Sequence, residues 1–90
     1  MANLCTAEIS LYPLAEQYEP VIKRFIERLE SYGFLDISIS TTSTQVRGEY
    51  ADVFLALAKE IEHVHAETGQ AILVCKFLAG ANVGVGLYRE

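Results

Sequence analysis

Between Leu4 and Tyr12 the residues alternate without interruption. Cys5, Ala7, Ile9 and Leu11 fall on one side, and Thr6, Glu8, Ser10 and Tyr12 on the other. A period of two marks a strand with one buried face, and such a strand needs both partners and a cover. In a chain of 90 residues these must come from the remaining segments or from another copy, because so small a domain has little stability to spare. There is room for one domain, and residues 1–90 read as that domain.

The remaining segments supply what the first strand needs. Pro13 ends the strand because it cannot donate to a ladder, and Glu19-Pro20 marks a helix start. Val21, Ile22, Phe25, Ile26 and Leu29 follow at helical spacing, with Lys23, Arg24, Glu27, Arg28 and Glu30 between them and Gly33 as the stop. Leu35, Ile37 and Ile39 alternate with Asp36, Ser38 and Ser40 as a second strand. The hydroxyl-rich Ser40-Thr41-Thr42-Ser43 suits a turn, and Thr44 to Tyr50 a third strand. A second helix from about Ala51 to Glu67 carries Val53, Phe54, Leu57, Ile61 and Val64 on its apolar stripe and closes at Thr68-Gly69. Ala71 to Leu78 is almost continuously apolar, the pattern of a well-covered strand.

This βαββαβ order predicts an α+β, ferredoxin-like sandwich: a four-stranded antiparallel sheet with two helices on one face. Strands one and three are then central, and the other face presents Glu8, Ser10 and Tyr12 beside Gln45 and Arg47. Residues 80–90 form a glycine-rich tail or an extra edge strand in which Val83, Val85 and Leu87 alternate with glycines. Its Gly-x-Gly is no nucleotide loop, because no helix follows it.

An apolar fraction of 51% excludes disorder. No run approaches the roughly 18 consecutive apolar residues a membrane span needs, and Met1-Ala2-Asn3-Leu4 lacks a basic leader, so a soluble, cytoplasmic protein is expected. Seven Lys and Arg against twelve Asp and Glu leave a net charge of −5, which repels nucleic acid and anionic membranes. An RNA-recognition module shares the element order but stacks bases on rings of its central strands, and Thr44 to Glu49 has no ring before Tyr50. Cys5 and Cys75 read as small structural thiols. His63 and His65, two apart on a helix, point to opposite sides and cannot share a metal. No nucleophile and base, phosphate loop or metal spacing can be assembled, so no enzyme, metal or cofactor is expected. An acyl-phosphate hydrolase on this fold would need an anion-cradling loop after the first strand, which is missing.

Glu8 stands out, since a carboxylate in mid-strand is expensive unless it meets a cation, a donor or water. It serves either as the partner of Lys76 or Arg47 or as a ligand contact, and the two are compatible. Ser43-Thr44-Gln45-Val46-Arg47-Gly48-Glu49-Tyr50 gathers hydroxyl, amide, guanidinium and phenol groups, with Gly48 allowing a bulge or close backbone approach. It can read a polar ligand, or Ser43 can simply cap the turn. The expected binding residues are Glu8, Ser10, Ser43, Thr44 and Gln45, with Tyr12 or Tyr50 as a stacking ring.

At Ala7-Glu8-Ile9-Ser10-Leu11-Tyr12-Pro13, Ser43-Thr44-Gln45-Val46 with Gly48-Glu49-Tyr50, and Val74-Cys75-Lys76 the chain resembles the thiamine-binding, YkoF-like family. The resemblance spans roughly residues 4 to 80. It implies a ferredoxin-like domain that associates through its sheet and, as in some members, binds thiamine or its hydroxymethylpyrimidine part. Two-domain members carry the unit twice. A single copy implies that a second subunit, in a dimer or tetramer, completes the site. The competing expectation is a structural or regulatory homo-oligomeric interaction domain without such a ligand.

Overall fold

In the computed structural model, which describes residues 3–80, the alternation of the first strand is realised over β1 (Leu4–Pro13). Then come α1 (Tyr18–Glu30), β2 (Asp36–Ile39), β3 (Thr44–Glu49), α2 (Tyr50–Thr68) and β4 (Ala71–Ala79). The strands form one antiparallel sheet in the order β2-β3-β1-β4, so β1 and β3 are central and the fold is ferredoxin-like. Residues 81–90, most of the stretch read as a tail or extra edge strand, lie outside the described residues.

Register fixes the faces. Cys5, Ala7, Ile9 and Leu11 of β1 and Val46 of β3 lie under the helices and join Val21, Phe25, Leu29, Leu35, Val53, Ala56, Leu57 and Val64 in one buried core. Gly48 lets β3 pass close beneath Leu35: a Cβ built there would stand 2.7 Å from Leu35 Cδ2. Burial raises the Cys5 thiol pKa above its ordinary value, and that of half-buried Cys75 likewise.

Four elements differ from the sequence reading. α1 ends at Glu30, ahead of Gly33, with Ser31 as its C-cap and the Ser31 hydroxyl donating to the Arg28 carbonyl at 2.6 Å. Tyr50 opens α2 instead of closing the third strand. The buried line of α2 runs through Val53, Ala56, Leu57, Glu60 and Val64, leaving Phe54 and Ile61 exposed on its flanks. β4 takes the edge position expected of it in the described sheet but is not well covered, since Ile72, Val74 and Leu78 face outward, all substantially exposed. Phe54 and Phe77 offset their exposure by stacking, centroids 4.8 Å apart.

Glu60, only 2% exposed, sits where the two helices meet. Arg28 Nε donates to one of its oxygens at 2.5 Å and the Tyr32 hydroxyl to the other at 2.8 Å. Burial first, and the Glu60 carboxylate second, push the Tyr32 phenol above its usual range. Nearer the solvent Arg24 pairs with Glu67, and Arg28 Nη1 lies 3.6 Å from the same carboxylate. The hydrogen bond from Arg24 holds Glu67 below the ordinary carboxylate range.

Candidate functional site

The side of the sheet away from the helices carries the polar residues of the central strands. Successive cross-strand rows read Asp36, Arg47, Thr6 and Leu78, then Ser38, Gln45, Glu8 and Lys76. Further along, Ser10 faces Val74 and Tyr12 faces Ile72. A band of polar groups on β1, β2 and β3 thus adjoins an apolar row on β4 interrupted by Lys76.

Glu8 is the hub of this band. Ser43 Oγ donates to its Oε2 at 3.1 Å, and Lys76 Nζ stands 3.9 Å from Oε1. The lysine is 80% exposed, so water screens the pair. Ser43 also closes the turn: the Ser40 amide donates to the Ser43 carbonyl at 2.9 Å, and the Ser43 amide to Ser40 Oγ at 3.2 Å. Ser10 Oγ donates to the Thr42 carbonyl at 3.3 Å, tying the turn to β1. Ser43 thus caps the turn, as its sequence position suggests, and in addition donates to Glu8. A hollow of about 140 Å³ lies where this turn meets α1, lined among others by Ser10, Ile22, Phe25, Thr41 and Ser43.

The structure thus brings Glu8, Ser10, Ser43 and Gln45 together, with exposed Tyr12 on the same face. Thr44 and Tyr50 are placed elsewhere. Thr44, 5% exposed, points beneath the helices, as a strand neighbour of Gln45 must. Tyr50 begins α2, and its hydroxyl receives the Gly80 amide at 2.9 Å. The sequence reading passed over Thr6 and Ser38. Both continue the polar side of alternations already visible, and Ser38 lies directly across from Gln45.

A larger, mostly apolar groove of about 460 Å³ runs between the end of α2 and β4 but holds none of the expected binding residues. Among the described residues no cluster of three or more His, Cys, Asp or Glu side chains could hold a metal ion, and no helix is long and apolar enough to cross a membrane.

A sheet covered by helices on one side and carrying a polar, carboxylate-centred band on the other defines a ferredoxin-like domain with an open face. The chain belongs to the YKOF-related family, whose model matches residues 4–82. Similar solved structures include TM0486 of Thermotoga maritima, described as a candidate thiamine biosynthesis/salvage protein. It is 21% identical, with a TM-score of 0.76 over 82% of this chain and 81% of that one. SP2199 of Streptococcus pneumoniae is 20% identical, with a TM-score of 0.77 over 93% and 90% of the two chains. The hypothetical protein MJ1052 of Methanocaldococcus jannascii is 17% identical, with a TM-score of 0.78 over 93% and 88%. At these identities the likeness is one of fold. No curated protein matches the chain.

Proposed function

We propose that this protein binds, without catalysis, thiamine or its hydroxymethylpyrimidine part on the open sheet face, where a second subunit completes the site. The observation that carries this reading is Glu8, held by Ser43 and flanked by Gln45 on a face of a YKOF-related domain. A carboxylate with a free lone pair suits a cationic thiazolium or an aminopyrimidine donor, Gln45 and Ser10 add neutral hydrogen-bonding groups, and Tyr12 offers a ring for stacking. The description of TM0486 points the same way. This reading assigns no chemistry to the face, and the bound molecule is expected to leave unchanged.

A second reading rests on the exposed row of Ile72, Val74 and Leu78 beside the polar band: the face is then a homo-oligomer interface whose polar residues fix register. Isothermal titration with thiamine and hydroxymethylpyrimidine separates the two. Saturable binding of either, returned unaltered, supports the first reading. No heat at millimolar ligand leaves the second.

A further inference from the structure

The next row of the same face has a donor set of its own. Thr6 is 7% exposed, and among the described residues its hydroxyl has no hydrogen-bond partner. It lines a hollow of about 200 Å³ with Asp36, Ile37, Ser38, Gln45 and Arg47. A buried hydroxyl without a partner costs free energy that nothing in the core returns. Around it the guanidinium of Arg47, the hydroxyl of Ser38 and the amide of Gln45 can all donate. These donors rise from three adjacent strands, β1, β2 and β3. Asp36, exposed on the edge strand β2 and cross-strand from Arg47, is the one group in the hollow that can only accept.

We infer that this hollow is a phosphoryl subsite of the open face, with Thr6, Ser38, Gln45 and Arg47 donating to the phosphoryl oxygens. Three terminal oxygens directed apart suit donors spread over three strands, whereas the two coplanar oxygens of a carboxylate reach fewer of them. Strand geometry sets Thr6 about 7 Å from Glu8 along β1. The face therefore takes a molecule with an amino or cationic group at one end and a phosphate ester at the other. This inference rests on the proposed function for the Glu8 end, and the phosphoryl end is testable without it.

The test compares thiamine with thiamine monophosphate by isothermal titration, on the wild type and on Thr6→Val, Arg47→Gln and Asp36→Asn, each checked for folding by its melting curve. The monophosphate is expected to bind about tenfold tighter than thiamine, as one charge-assisted hydrogen bond supplies. Thr6→Val and Arg47→Gln should erase that preference while thiamine itself binds as before, Thr6→Ser should restore it, and Asp36→Asn should widen it by removing a repelling carboxylate. Equal affinity of the two compounds for the wild type, or a preference that survives in Arg47→Gln, overturns the subsite and leaves thiamine binding standing. If neither compound binds, the thiamine reading fails, and inorganic phosphate decides the subsite through backbone amide shifts. Saturable shifts at Thr6, Ser38 and Arg47 that Thr6→Val abolishes support it, and their absence in the wild type overturns it.

Discussion

The Glu8 carboxylate divides its two oxygens between a hydroxyl at 3.1 Å and an ammonium at 3.9 Å, and the two partners have different strengths. An ion pair to so exposed a lysine contributes at most about 1 kcal/mol. Glu8→Gln should therefore change unfolding free energy by less than about 1 kcal/mol, yet weaken thiamine binding by about 1.5 to 3 kcal/mol, the range of a charge-assisted hydrogen bond. Denaturant titration and calorimetry on Glu8→Gln, Lys76→Gln and the double variant give both quantities; unchanged affinity in folded Glu8→Gln removes this carboxylate from the site. Gly48 makes a harder demand. With Leu35 Cδ2 only 2.7 Å from where a Cβ would go, Gly48→Ala should cost about 1 to 3 kcal/mol of stability by overpacking. Adding Leu35→Ala should return less than the sum of the two losses, because one substitution relieves the other. The alternation along β1 made Glu8, Ser10 and Tyr12 legible as one face. The same rule separates Thr44 from Gln45, since neighbours in a strand cannot share a side. The burial of Glu60 was not legible: its place on the stripe of α2 depends on Arg28 and Tyr32 arriving from α1, which no local pattern records.

Between α1 and α2 a short polar seam replaces part of the apolar contact. Glu60 at its buried end accepts from Arg28 and Tyr32, so Glu60→Ala should cost about 1 to 3 kcal/mol by leaving two donors without their acceptor. Glu67 at its exposed end titrates below the ordinary carboxylate value, chiefly through its hydrogen bond from Arg24. A carboxylate depressed in the folded state contributes stability above its unfolded pKa and loses it as pH falls through its folded one. Melting temperature should therefore decline on acidification below the ordinary value of 4.5, and Glu67→Gln should flatten that decline. Scans from pH 7 to pH 3 on both proteins check this. Element order and type followed from periodicity, Pro20 and Gly69. The exposure of β4 did not, because a continuous apolar run looks the same whether this chain or another molecule covers it.

For the whole molecule, helices cover one face of the sheet while the other carries Tyr12, Ile72, Val74 and Leu78 in substantial exposure. Patches of this kind on a small domain mark contact surfaces. Light scattering at micromolar concentration should give twice or four times the chain mass, and Val74→Lys should lower it; a monomer in the wild type would remove the second subunit from the proposed site. The βαββαβ sandwich could be deduced because β1, β2 and both helices announce their own periods and turn signals bound the strands between them. What lies across the open face could not, because assembly is a property of two chains. One further consequence attaches to Lys76. Folded proteins place lysines on free strand edges so that stray strands cannot add to them and seed aggregates. This lysine interrupts the outward apolar row of β4, yet its ammonium leans inward toward Glu8. With that side chain 80% exposed, the charge stays in water between Val74 and Leu78, where it breaks the apolar row against which a stray strand could align.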